Sequence, residues 1–341
     1  MTGTIAVASD EPVRTDLGEA ARIELHQFVT TVSPKNGDLA LCREVTRESF
    51  EVWDSRENVV PIYSVDREGV APRAPDAEST AVGPRGPVYI AYYIDLPSLG
   101  NYPVRDGPEY FLPAQVDRAV RETLESERFR GSFKPELGDR LLLALFDGND
   151  VEFLTGLTTV EEFIKAFDAI ETRTFHPPER IDDRRRWSSL QHLGNALGQL
   201  DEAATATKHV ILLSGDFYMG AWTGEATMGK IAAVLERARV VIHPVDLRWR
   251  DRPLPAGILT LSWIAQGELF AHGKTALDAA EKVIGIYDNG CRLIISVKAP
   301  AQHLTLHLLD KRFTIPPPAP VIPLPPLTDD ERLEASIKLP R

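Results

Sequence analysis

Residues 86–101 read Gly86-Pro87-Val88-Tyr89-Ile90-Ala91-Tyr92-Tyr93-Ile94-Asp95-Leu96-Pro97-Ser98-Leu99-Gly100-Asn101. Gly86 and Pro87 punctuate the start, and the seven residues after them are β-branched, aromatic or small, with no polar alternation. Such a run predicts a strand covered on both faces, as at the centre of a parallel sheet. It stops at Asp95, where Pro97, Ser98, Gly100 and Asn101 impose a loop. A carboxylate at the C-terminal end of a central strand sits where open α/β sheets place their ligands. Any chemical site of this chain therefore starts at Asp95.

Outward from this stretch, strands and helices alternate. Val116, Ala119, Val120 and Leu124 recur at helical spacing and predict an amphipathic helix over 114–129. Residues 140–146, 208–213 and 239–245 read as further buried strands, and 151–154 as a short one. Thr158 or Thr159 caps a helix to about residue 171, and Ser188 or Ser189 caps another through 204. Residues 226–238, 258–266 and 276–286 complete the helices, with 269–271 an edge strand between the last two. The alternation predicts a doubly wound, mostly parallel Rossmann-like sheet.

On the N-terminal side, 23–32, 39–42, 50–53 and 59–65 are short strand candidates, and 291–298 and 303–309 follow the α/β region. These predict an antiparallel β-sandwich into which the α/β domain is inserted. The expected organisation is a loose N-terminus (1–20), a sandwich (21–66 and 290–314), a linker (67–85), an α/β domain (86–289) and a proline-rich strap (315–341). Residues 315–327 of the strap are polyproline-II material, either a surface cover or a docking segment for a partner.

With 341 residues and 43% hydrophobic content, the chain can build two full cores. A net charge of −12 argues against nucleic-acid or anionic-membrane partners. No apolar run approaches the ~20 residues of a membrane span, and the N-terminus lacks an apolar signal core, which leaves localisation open. Cys42 and Cys291 are the only cysteines. Two separate buried thiols are the plainer reading, because a bridge needs an oxidising compartment. No G-x-S-x-G elbow, Walker loop, dinucleotide fingerprint or H-E-x-x-H helix is present, so no catalytic residue is expected.

Strand 88–94 with Asp95, strand 208–213 with Ser214-Gly215-Asp216, and strand 239–245 resemble a von Willebrand factor type A (VWA) domain. The region 22–315 resembles, more narrowly, the VWFA-related family abundant in acidobacteria and related bacteria. Its N-terminal pattern is similar to Gly37-Asp38-Leu39 through Thr46-Arg47-Glu48-Ser49-Phe50-Glu51-Val52. Its "L-S-G-G-F" strand end is echoed by Leu213-Ser214-Gly215-Asp216-Phe217, and its "V-x-V-Y-P-V-D-x-R" by Val240-Val241-Ile242-His243-Pro244-Val245-Asp246-Leu247-Arg248. Members of that family are commonly exported. The resemblance implies a metal-ion-dependent adhesion site of the form D-x-S-x-S with a distant Thr and Asp. Asp95 matches the first Asp, but Pro97 and Leu99 stand at the serine positions. The Thr position falls near Ser188 and Ser189, and Asp216 lies one residue from the expected second Asp. A degenerate site is expected, without a resident cofactor. If Mg²⁺ or Ca²⁺ binds, Asp95, Ser98 and Asp216 are its ligands.

Tyr218, Met219, Trp222 and Trp249 fall in loops at the same rim, as do Pro97 and Leu99. Exposed aromatic and Met side chains on a rigid scaffold are interface material, and the equal alternative is that they fold back over the metal loop and bury one another. In the knot Arg184-Arg185-Arg186-Trp187, Arg185 and Arg186 are candidate contacts for an acidic partner surface. The plainer reading of the knot is a loop salt-bridged to Asp182 and Asp183. The expectation is a non-enzymatic protein-interaction module, a subunit of a larger assembly. The alternative is a Mg²⁺-dependent adhesion or receptor module.

Overall fold

The computed structural model describes residues 13–14, 20–21, 23–68, 85–99, 112–171, 173, 175, 183–200, 203, 206–215, 225–247, 256–300 and 304–316. They fall into two compact units, one drawn from Met1–Gly86 and Gly285–Pro320, the other from Pro87–Ile284.

The first unit contains two three-stranded antiparallel sheets. In one, Arg292–Pro300 lies between Ile23–Thr31 and Ile62–Arg67. In the other, Phe50–Asp54 lies between Leu304–Leu308 and Val59–Val60. Alternate residues of these strands, among them Phe28, Phe50, Val52, Ile295, Val297, Leu304 and Leu306, share one apolar core. The expected strand over 39–42 is instead a 3₁₀ turn, Leu39–Glu44, because Asp38 Oδ1 accepts from Ala40 N at 3.1 Å and starts a helical cap. That turn carries Cys42 inward.

Cys42 and Cys291 are joined as a disulfide with Cα atoms 5.0 Å apart, which corrects the expectation of two separate thiols. Their separation of 249 residues hides the proximity; the pairing of Arg292 with Thr31 produces it. Arg67 clasps the same corner, donating from Nη1 to Cys42 O (3.2 Å) and Gly290 O (2.5 Å), and from Nη2 to Arg43 O (3.1 Å). Gly290 has φ +62°, and a Cβ there would lie 2.6 Å from Arg67 Cδ.

In chain order the second unit runs β1 (Tyr89–Asp95), α1 (Ala114–Glu125), α2 (Glu127–Ser132), β2 (Arg140–Phe146), β3 (Val151–Phe153), α3 (Val160–Glu171), α4 (Asp183–Gly198), β4 (Lys208–Ser214), α5 (Glu225–Arg237), β5 (Val240–Asp246), α6 (Ala256–Ile264) and α7 (Ala276–Asp288). The sheet order is β3-β2-β1-β4-β5, parallel except for β3 against β2. All of β1 is buried, at the centre of five strands.

Successive strand residues point to opposite faces. Tyr92 meets Phe163 of α3 edge-on, with ring centroids 5.4 Å apart, while the Tyr93 hydroxyl donates to Ser189 Oγ of α4 at 2.6 Å. Helices α3 and α4 therefore cover opposite faces, and the layer is doubly wound, a Rossmann-like fold. α3 begins as expected at a threonine cap, with Thr159 Oγ1 accepting from Glu162 N at 3.4 Å.

Helix α4 does not begin at Ser188 or Ser189 and does not reach 204. It starts five residues earlier than Ser188, because burial of Trp187 and of Arg186, which reaches Asp95 at the end of β1, outweighs the capping preference of the serines. The expected edge strand at 269–271 is reduced to a single parallel bridge from Phe270 to Val245. Among the described residues no helix is long and apolar enough to cross a membrane.

Candidate functional site

Asp95 closes β1, opposite Phe146 in the neighbouring strand. Leu96–Leu99 then turn as a short 3₁₀ helix, and this folds Ser98 back over the strand end. Ser98 Oγ donates to Asp95 O at 2.8 Å and accepts from Gly215 N at 2.9 Å. Ser214 Oγ, at the end of β4, lies 2.8 Å from Ser98 Oγ and 3.2 Å from Asp95 Oδ2.

The cation facing Asp95 belongs to the protein itself. Within the first turns of α4, Arg184 and Arg185 are exposed, whereas Arg186 and Trp187 are 4% and 1% exposed. Arg186 Nε stands 3.4 Å from Asp95 Oδ2 as a buried ion pair. Burial pushes the Asp95 carboxyl up from its ordinary range, against the opposing pull of Arg186 and of its bonds to Ser98 and Ser214. Ser189 extends the network: it accepts from Tyr93 and donates to Arg186 O at 2.6 Å. Burial raises the Tyr93 phenol well above its usual value.

Mg²⁺ wants about six oxygens near 2.1 Å, and Ca²⁺ about six to eight at roughly 2.3–2.6 Å. Pro97 and Leu99 offer none from their side chains, the Ser98 hydroxyl is committed to Asp95 O and Gly215 N, and a guanidinium already faces the carboxylate. The described residues here do not fit a hard dication. Elsewhere among the described residues, no group of three His, Cys, Asp or Glu side chains is placed to hold a metal ion.

The remaining expected site residues are distributed as follows. Pro97 and Leu99, expected as partner contacts, are buried under their turn. Arg186, expected at the surface, is the inward partner of Asp95. The knot 184–187 is helical rather than a loop. Arg185 is exposed, with Nη1 2.9 Å from Asn149 Oδ1. With Arg184, Ser188, Ser189 and His192 it lines a cavity of about 250 Å³ beside Phe146. Asp216, Tyr218, Met219, Trp222 and Trp249 lie outside the described residues. Sequence reasoning missed the roles of Arg186, Ser214 and Tyr93. A signal for the first existed: Arg186, Leu190, Leu193 and Leu197 recur at three- and four-residue spacing, which puts Arg186 on the apolar stripe.

No protein-family model matches the chain, nor does any curated protein. Solved structures similar to it include proximal thread matrix protein 1 of the mussel byssus, at 14% identity and TM-score 0.35, over 64% of this chain and 48% of that one. The SpRpn10 VWA domain is similar at 12% identity and TM-score 0.37, over 56% and 93%. The manganese-loaded TRAP protein of Plasmodium vivax is similar at 13% identity and TM-score 0.35, over 64% and 78%. The chain spans about half the length of the byssus protein.

Proposed function

We propose that the α/β unit is a metal-independent, non-enzymatic protein-binding module. It recognises its partner through the loops at the carboxyl edge of the sheet, as a subunit of a larger assembly. The observation that carries this reading is the buried Arg186–Asp95 pair at 3.4 Å, a covalently attached cation against the carboxylate that heads a metal site in the resembled family. The exposed Arg184 and Arg185 and the neighbouring cavity supply a polar recognition edge. The buried Cys42–Cys291 disulfide supports work in an oxidising compartment.

A Mg²⁺-dependent adhesion module with Asp95, Ser98 and Asp216 as ligands is the rival. It is favoured by one observation, that Asp95 Oδ1 is buried with no hydrogen-bond partner among the described residues. Calorimetric titration with Mg²⁺ and Mn²⁺ separates the two. The proposal expects no binding heat at millimolar metal, and saturable heat that disappears in Asp95→Asn selects the rival.

A further inference from the structure

His209 of β4 and His243 of β5 stand on one face of the sheet, since the register pairs His209 with Val241 and Ile211 with His243. Both rings are buried, and they stack with centroids 5.3 Å apart. His209 Nδ1 lies 3.0 Å from His243 Nε2. The other nitrogen of the second ring, His243 Nδ1, accepts from the backbone N–H of Glu268 at 3.2 Å. A backbone N–H only donates, so His243 Nδ1 carries no proton. The proton of neutral His243 is then on Nε2 and is donated to His209 Nδ1, which leaves the His209 proton on Nε2. The polarity of the whole chain is fixed, from the Glu268 amide through His243 to His209.

The amide at its head belongs to the segment that closes the outer edge of β5. Gly267 approaches that strand so closely that a Cβ would lie 1.7 Å from Ile242 O. Phe270 N donates to Pro244 O at 2.8 Å, and Asp246 N donates to Phe270 O at 2.9 Å. The Phe270 ring meets His243 edge-on at 6.2 Å.

We infer that the histidine pair is an acid-sensitive latch that releases segment 267–270 from β5. A proton added to His243 goes to Nδ1 and displaces the Glu268 amide. A proton added to His209 goes to Nδ1 and breaks the link between the rings. The latch is closed while both rings are neutral, and its contribution is lost as pH falls.

The charged groups of the surrounding elements are as follows. The Glu268 carboxylate pairs with Lys274 (3.4 Å) and with Lys282 of α7 (3.6 Å), and Glu281 of α7 pairs with Arg128 of α2 (3.0 Å). Lys208 and Asp246 project from β4 and β5 to the opposite face, where Lys208 Nζ donates to Ala238 O at 2.8 Å. Glu236 of α5 and Arg184, Arg185, Arg186 and His192 of α4 belong to the helices of that opposite face. Helix α6 carries no charged residue. The latch is independent of how the carboxyl edge is used.

Hydrogen exchange on the full chain tests it. Between pH 7.5 and 5.5 the Glu268 and Phe270 amides are expected to lose about tenfold more protection than amides of β1. His243→Asn keeps an acceptor for the Glu268 N–H without a titrating ring, and is expected to abolish that excess. Uniform loss in the wild type, or the same excess in H243N, overturns the inference. Should H243N fail to fold, the tautomers of the wild type decide alone. Ring ¹⁵N shifts of the wild type at pH 7.5 decide independently: both rings must be Nε2–H tautomers, and an Nδ1–H on either overturns the latch.

Discussion

Replacing Arg186 by Met keeps an apolar stem of similar reach and removes the charge beside Asp95. Two routes give the size of the effect. At 3.4 Å and an effective dielectric of about 20, the pair's attraction is about 5 kcal/mol. Alternatively, the stranded carboxyl protonates, and doing so at pH 7, about three units above its ordinary pKa, costs about 4 kcal/mol. Both agree with the roughly 3–5 kcal/mol measured when one partner of a buried pair is removed. The sign with pH follows. Without Arg186 the carboxyl is pushed up further by burial, so the variant loses stability as pH rises through that folded value. The penalty is expected to be near 4 kcal/mol at pH 7 and to shrink toward zero near pH 4. Urea unfolding of wild type, R186M, D95N and the double variant, followed by tryptophan fluorescence, measures it, and the cycle gives the coupling directly. A penalty below about 1 kcal/mol at pH 7, or one that is flat with pH, refutes the pairing argument.

Other expectations follow from single features of the fold. Glu236, with Oε1 buried and unpartnered among the described residues, has its carboxyl pushed up by burial to about 7. It therefore costs stability increasingly from pH 4.5 through 7, and Glu236→Gln is expected to stabilise by up to about 3 kcal/mol at pH 8 and by nothing at pH 4 in thermal melts. Gly267→Ala places a Cβ 1.7 Å from Ile242 O, and calorimetry is expected to show a loss of about 3 kcal/mol or more. Reducing the Cys42–Cys291 bond, which spans 249 residues, is expected to lower stability by about 2–5 kcal/mol, with thiols reacting with Ellman's reagent only after unfolding because both are buried. Thiols that react in the unfolded chain without prior reduction would contradict the disulfide.

The strands of the α/β layer were legible because burial on both faces leaves a compositional mark. Val88 to Ile94 has no polar residue, and β1 is buried throughout. β4 was legible in the same way from Val210 to Leu213; what stayed hidden was the role of its first two residues, Lys208 and His209, whose partners, Ala238 O and His243, lie on later elements. The site was half legible. Asp95 follows from its place at a strand end, whereas its partner was hidden in a tri-arginine run that composition assigns to solvent. Charge says nothing of direction; only helical phase does, and the phase was lost because the serine caps were read five residues late. The cysteine pair shows the same limit, since a spacing of 249 residues carries no distance until the pairing of Arg292 with Thr31 is known.

A carboxylate buried at the end of a central strand can be neutralised in two ways, and they make opposite demands on its neighbours. A dication needs several oxygens converging from the following turn and adjacent strand ends, with hydroxyl lone pairs aimed inward. A guanidinium needs acceptors and excludes further donors from its path. At this rim the choice is consistent from residue to residue. Positions 97 and 99 supply no side-chain oxygen, Ser98 turns its lone pairs to Gly215 N and Ser214 Oγ, and Ser189 fixes the Arg186 carbonyl from behind. Each of these groups would have to reorient for a metal to enter, while each supports the pair as it stands. On the function proposed above, a partner docking on this edge meets a charge arrangement set by the Arg186–Asp95 pair rather than by ion concentration. Its affinity is expected to respond to salt through Arg184 and Arg185, and not to chelators.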